Sequence, residues 1–269
     1  MDPINSVWLV TLFLFPAIVG SVSYVLHLVS KGGAGSIFLI GLGVYLGLGL
    51  SGILYLILIL YSASLITIYG SRKRGASSPV KPKRGPRDFW RIMGGGGLGG
   101  LIGFLVFFKL LSLHTGTIGL VTAFGITSSD TWASSIGILS KKEPVMIIPP
   151  WNRVETGTSG AISVLGEIFS VIGGSISLIF AYVSGLMGQI KVIELVFMLV
   201  VIMGEKLDSF LGATIQGSYY YDKYNLHTVN SVHSCRARTT IIRGSRYVTN
   251  SGVNLLTTII GATTIMSIF

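Results

Sequence analysis

GAGSIFLIGLGVYLGLGLSGILYLILILYSASLITIYG, residues 33–70, runs for 38 residues without a charged side chain. A helix needs about 20 apolar residues to cross a bilayer, so this block is too long for one span and long enough for two. The natural break is at Gly49, Ser51 and Gly52, small residues set between two halves rich in Leu and Ile. A chain that commits two adjacent helices to lipid here has its class decided, and the flanking sequence follows the same rule.

Upstream, residues 7–29 are long enough to span, and they lack the basic start and small-residue cleavage site of a signal peptide, so this helix is expected to stay. Downstream, apolar runs lie at about 94–113, 118–138, 161–183, 192–216 and 251–269. With the split block these make about eight spans, within a range of 7–9. Half the residues are hydrophobic and 11% are charged, with a mean hydropathy of +0.73. That is too little charge to cover a soluble domain of this length. The expectation is an all-α, polytopic integral membrane helical bundle forming a single domain over 1–269. Its 36 glycines suit helices that pack backbone to backbone in lipid.

A net charge of +10 would fit nucleic acid in a soluble protein, but here the basic residues sit in loops between apolar spans, so no nucleic-acid partner is expected. Residues 71–91 alone carry eight of them, Arg72, Lys73, Arg74, Lys81, Lys83, Arg84, Arg87 and Arg91, among three prolines. Eight spans put Lys31, this loop, the loop at 141–153 and the loop at 217–248 on one side, which the positive-inside rule makes cytoplasmic. Both termini are then outside. The single Cys235 excludes an internal disulfide and argues against a cysteine-built zinc site, and the four histidines show no metal spacing.

Polar residues in such a chain need a reason, and 130–163, DTWASSIGILSKKEPVMIIPPWNRVETGTSGAIS, places a carboxylate, three basic residues and a Gly/Ser/Thr-rich turn together. Asp130 and Ser134 share a helical face, with Thr131 and Ser135 nearby. Lys141, Lys142 and Arg153 follow in a loop. The turn Gly157, Thr158, Ser159, Gly160 then precedes the next span, with Thr158 or Ser159 read as the N-cap, an arrangement that would favour a bound anion. The plainer reading of the stretch is a loop, a cap and a topology signal. Asp208 is a second carboxylate inside an apolar run, where a charge normally faces a polar interior, an ion or an opposite charge; pairing with Lys206 or a loop arginine is the structural alternative. Asn250 and Asn254, four apart, present two amides from one face, for a ligand or for a neighbouring helix.

Other motifs fail on context. GGGGLGG at 94–100 contains GxGxxG, yet no strand precedes it and an apolar helix surrounds it, so it reads as helix packing. No P-loop occurs. Tyr219, Tyr220, Tyr221 and Tyr224 read better as an aromatic belt than as a base-stacking platform.

The order of DTWASSIG, LSK, Trp151, Arg153 and GTSGAIS resembles the signature of the phytyl-phosphate kinase-like integral membrane family. LDSFLGATIQ at 207–216 and HSCRARTTIIRGSRYVTNSGVNLL at 233–256 are similar to two further blocks of that family, and the resemblance covers residues 87–260 well. It implies a Mg2+-dependent kinase that moves the γ-phosphate of CTP, or another nucleoside triphosphate, to an isoprenoid monophosphate at the cytoplasmic face of a lipid bilayer. Asp130, Asp208 and Lys141 would be catalytic, and Asp130 and Asp208 would hold magnesium. Arg153, Gly157, Thr158, Ser159, Gly160, Arg243, Asn250 and Asn254 would meet phosphates, with Arg87 and Arg91 as helpers. Such a reaction needs positioning and charge compensation more than covalent help. The chain departs from the family in carrying Ser135 in place of Glu and glycines near Gly95 in place of Asn-Gly. Thr249 and Asn250 replace Asn-Asn, and only His233 and Cys235 stand where relatives carry a Cys-rich knuckle, so no zinc is expected. Glu205 could replace the lost Glu as a metal ligand. A lipid-phosphate cytidylyltransferase or other lipid-phosphate transferase, and a non-enzymatic transporter or flippase, are the alternatives; the absence of two related halves weighs against the transporter.

Overall fold

The computed structural model describes residues 6–77, 85–188, 191–221, 226–228 and 239–269. Seven helices appear among them: α1 (Ser6–Val25), α2 (Lys31–Ser77), α3 (Phe89–Phe107), α4 (Leu113–Gly137), α5 (Val164–Val183), α6 (Lys191–Thr214) and α7 (Asn250–Ile268). Lys81, Lys83, Arg84, Tyr224, His233 and Cys235 lie outside the described residues.

Helix α2 is the 33–70 block, and it is broken where the sequence says. Gly49 alone within it leaves helical geometry, with φ at 63°, a value glycine reaches without a Cβ penalty. The two arms fold back on each other. The carbonyl of Arg87 accepts from the backbone N–H of Ser30 at 3.0 Å, while the Arg87 Nη2 donates to the Ala63 carbonyl at 3.1 Å and to Thr67 Oγ1 at 2.9 Å. In a straight helix Ser30 and Ala63 would stand about 50 Å apart, beyond any single arginine. With α2 counted as two arms, the described chain has eight helical segments, in line with the sequence count. Among the described residues five helices, α1, α2, α3, α5 and α7, are long and apolar enough to cross a membrane by themselves.

The bundle is built around α4, which packs on α2, α3, α5, α6 and α7 and is buried almost continuously from Gly116 to Ile126. Hydroxyls stitch it to its neighbours: Ser128 Oγ donates to the Gly173 carbonyl at 3.0 Å, Ser129 Oγ to the Ser170 carbonyl at 3.0 Å, and Thr127 Oγ1 to the Gly95 carbonyl at 2.6 Å. The glycine run at 94–100 packs helices, as read: Gly94 lies against the Ser251 backbone and Gly99 against the Phe124 ring, while Gly100 faces the backbone of Ile40. Helix starts are capped by Asp88, Ser112, Ser163 and Thr249, each accepting from the backbone N–H three residues on. Each cap contributes about 1 kcal/mol.

The loops at one end of the bundle are structured. Strand β1 (Val145–Met146) pairs antiparallel with β2 (Ala161–Ile162). Beyond α6, β3 (Ser218–Tyr221) lies between β4 (Leu226–Thr228) and β5 (Thr240–Arg243). The stretch 217–248, expected as a loop, thus folds in part into a small sheet. Tyr219, expected in an aromatic belt, is buried within it, on the middle strand between β4 and β5. Arg74 Nη2 donates to the Thr156 carbonyl at 3.0 Å, and Ser159 Oγ to the Gly212 carbonyl at 3.1 Å, so the basic end of α2, the 138–163 loop and the end of α6 share this side.

Candidate functional site

Asp130 lies two turns before the end of α4, Asp208 nearly two before the end of α6, and Asn254 one turn into α7. These three helices bring the carboxylates together across 78 residues of sequence, just beneath the end that carries the loops. The amide of Asn254 stands between them. In one orientation its Nδ2 donates to Asp130 Oδ2 at 3.3 Å; turned over, it donates to Asp208 Oδ2 at 3.3 Å and to the Asn250 carbonyl at 2.6 Å. Either way the amide serves one carboxylate with a donor and turns its oxygen toward the other.

Two residues the sequence reading left out complete this network. Thr257 Oγ1 donates to Asp208 Oδ2 at 3.5 Å, and Gln216, 1% exposed, donates through Nε2 to Asn250 Oδ1 at 3.5 Å. Asn250 Nδ2 in turn donates to Asn254 Oδ1 at 3.1 Å. Asn250, Asn254 and Thr257 sit at i, i+4 and i+7, so Thr257 could have been found as the next member of the same helical face. Arg91, in the first turn of α3, is close enough to Asp88 and Asp130 for their charges to interact.

Glu205 does not join the pair. Its carboxylate accepts from Lys206 Nζ at 2.6 Å and from Ser209 Oγ at 3.3 Å, and Ser170 Oγ points to it at 3.4 Å. Lys206 also ion-pairs with Glu167 of α5. Lys206 is therefore engaged away from Asp208, which removes the Lys206 half of the structural alternative raised for that carboxylate. Two positions on a helix are about 200° apart, whereas Glu205 and Lys206 can both lean toward α5. Glu205→Gln is expected to lower stability by about 1–3 kcal/mol through the weakened buried pair and to leave any magnesium requirement as it was. A thermal melt in detergent read beside a magnesium titration checks both halves.

The turn at 157–160 is not a helix cap. Ser163 caps α5, its Oγ accepting from the Gly166 N–H at 3.1 Å, because residues 161–162 are first used in pairing with β1. Gly157 and Gly160 have φ of 97° and 77°, and Gly160 is packed against the backbone of Ala213. Thr158 Oγ1 donates to the Glu155 carbonyl at 2.8 Å. The turn is clamped onto α6 by Arg243, whose Nη2 donates to the Ser159 carbonyl at 2.6 Å and the Gly212 carbonyl at 3.3 Å. Gly212 stands one turn beyond Asp208, so the turn sits about 6 Å along the helix axis from the carboxylates. Burial holds the Arg243 guanidinium below its usual pKa. Arg87 ties the arms of α2 together, and the Thr67 hydroxyl it meets is 3.1 Å from Ser135 Oγ. Lys141 and Arg153 are exposed on the loop.

Among the described residues no group of three His, Cys, Asp or Glu side chains could hold a metal. The donor set is instead two carboxylates plus an amide oxygen. That set fits Mg2+, which keeps several waters and takes one or two carboxylates along with substrate phosphates. It does not fit zinc, which wants His or Cys.

Residues 14–262 match the profile of a family described as "Integral membrane protein DUF92". The chain is 35% identical over 99 residues to an uncharacterised membrane protein of Methanocaldococcus jannaschii, covering 37% of this chain and 40% of that one. It is 25% identical over 193 residues to an uncharacterised membrane protein of Synechocystis, covering 71% and 74%. Protein PGR of Arabidopsis thaliana is 30% identical over 110 residues, covering 37% and 38%. The matched segment thus spans less than half of the archaeal and plant proteins. No solved structure matches the chain.

Proposed function

From the premise that the chain belongs to the integral membrane DUF92 family, we propose that it is a membrane kinase that phosphorylates an isoprenoid monophosphate, with CTP or another nucleoside triphosphate as donor. The observation that carries this reading is the meeting of Asp130 and Asp208 around the Asn254 amide, at the end of the bundle that bears the basic loops. Two carboxylates held that close in a membrane bundle call for a cation, and phosphoryl transfer calls for one too.

Asp130 and Asp208 would hold Mg2+, which when bound supplies charge compensation to the donor phosphates. Asn254 fixes the spacing of the two carboxylates and is itself oriented by Asn250. Thr257 holds the second Asp208 contact. Arg91 offers positive charge on the Asp130 side, suited to a phosphate oxygen. The apolar helix faces give the prenyl tail a place in the bilayer, so that only the acceptor phosphate has to reach the polar end.

The test is to incubate purified protein with Mg2+, each nucleoside triphosphate in turn and geranylgeranyl or phytyl monophosphate, and to identify both products. A prenyl diphosphate with a nucleoside diphosphate supports the reading. Pyrophosphate with a CDP-lipid would make the protein a cytidylyltransferase, and no nucleotide product would leave the transporter.

The same reading requires the site to face the cytoplasm. In a Cys235→Ser background, a cysteine at Ser77 is expected to resist a membrane-impermeant maleimide on intact cells and to label after permeabilisation. Labelling from outside would put the carboxylate end away from cytosolic nucleotide and sink the kinase.

A further inference from the structure

Above the carboxylates, between the 153–158 segment and the β3–β5 edge of the sheet, lies a cavity of about 400 Å3. Arg153, Val154, Glu155, Thr158, Ser218, Ile242 and Arg243 line it, and none of them belongs to a membrane-spanning helix. Its walls are fixed by backbone pairing: Met146 N–H donates to the Asn152 carbonyl at 2.8 Å, Val154 N–H to the Pro144 carbonyl at 3.0 Å, and Ser218 pairs with Arg243.

Arg243 is the unusual member. It is half-buried, its Nη2 is spent on two neutral carbonyls, and its Nε is enclosed with no hydrogen-bond acceptor. Among the described residues the ion pairs are those of Lys206, so none of the described carboxylates pairs with Arg243. A positive charge taken partly out of water without a counter-ion favours an anion beside it, and Arg153 brings a second guanidinium to the same cavity.

We propose that this cavity binds the donor nucleotide, with its phosphates toward Arg243 and Arg153 and its sugar and base toward Glu155, Ser218 and Ile242. The assignment rests on the kinase reading and adds to it which substrate sits where. Three features favour a nucleoside polyphosphate over the prenyl phosphate. Glu155 would repel a bare phosphate but accepts hydrogen bonds from ribose hydroxyls or from an exocyclic base amine. Ile242 gives an apolar wall for a ring, and the volume falls in the range of small-molecule sites. The walls come only from the layer outside the bundle, so a prenyl tail would have to leave the bilayer to bring its phosphate here. Arg243 also holds the Gly212 carbonyl, one turn beyond Asp208 on α6, so phosphates gathered at its guanidinium sit over the carboxylate pair.

The experiment is equilibrium binding to the full chain in lipid nanodiscs with Mg2+ present, each probe added alone so that no phosphoryl transfer occurs. The probes are CTP, ATP and geranylgeranyl monophosphate, and the variants are Arg153→Ala and Ile242→Trp. Both positions are exposed enough to be changed without unfolding the chain. The wild type is expected to bind a nucleoside triphosphate, each variant to weaken it about tenfold or more, and both to bind geranylgeranyl monophosphate within about twofold of wild type. Nucleotide affinity unchanged in both variants, no nucleotide binding by the wild type, or a loss confined to geranylgeranyl monophosphate would each overturn the assignment. The last of these would give the cavity to the acceptor's phosphate. If nucleotide binds here but no diphosphate product forms, the cavity stands and the kinase falls. If product forms and Arg153→Ala keeps its KM for nucleotide, the kinase stands and the cavity assignment falls.

Discussion

Asp130→Asn and Asp208→Asn are each expected to lower turnover by about three powers of ten or more, and the double variant to be little worse than either. Both carboxylates meet the same amide, so removing one already destroys the place where a cation would sit. Groups that act as a unit lose their effect together, whereas two independent structural carboxylates would show separate and additive losses, mainly in stability. The readouts are product formation and a thermal melt on the same preparations. Near-normal activity in both single variants, or activity lost only along with folding, would reduce the pair to a structural contact. Asn is the chosen substitution because it keeps shape and hydrogen-bonding capacity while removing charge.

The second large effect is on folding. Gly103→Leu is expected to abolish monodisperse protein in detergent, a loss of about 3 kcal/mol or more. A Cβ at Gly103 would run into the Gly43 carbonyl, and one at Gly47 would lie 2.5 Å from the Gly103 carbonyl oxygen. The first arm of α2 and helix α3 therefore touch backbone to backbone, and backbone atoms cannot rotate aside as a side chain can. Gly35 is the control. It lies in the same arm with nothing within 4 Å of where a Cβ would be, so Gly35→Ala should leave the melt unchanged or raise it, by about 0.5–1 kcal/mol. If the two variants behave alike, α2 and α3 do not meet as described.

The spans were legible because hydropathy and glycine breaks are local signals. The break in the 33–70 block fell at Gly49, and the spans of the bundle followed in order. Helix α3 starts several residues before the expected 94, since Asp88 caps a turn containing Trp90 and Arg91 that hydropathy alone does not count. The convergence of Asp130 and Asp208 could be anticipated because each carboxylate in an apolar run needs company and both stand near the same end of their helices. What the sequence could not show was non-local pairing of short segments. Strands of two to four residues carry too little pattern to be seen, so the sequence reads as loop where the sheet after α6 forms, and it offers Thr158 or Ser159 rather than Ser163 as the cap of α5. Proximity in sequence suggests Lys206 for Asp208, but helical rotation gives it to Glu205 and Glu167 instead.

Helices α4 and α6 carry the two carboxylates and are not among those apolar enough to enter a membrane alone, whereas α7, which brings the amide between them, is. That division sets an order of assembly. As the chain is made, α4 and α6 have to be received by neighbours already in place, α4 by α2 and α3 and α6 by α4 and α5. The two carboxylates then lack the amide that joins them until α7 arrives to close the gap. Docking of α7 is in this sense the step that completes the site. A chain interrupted before Asn250 would hold both acids with nothing between them.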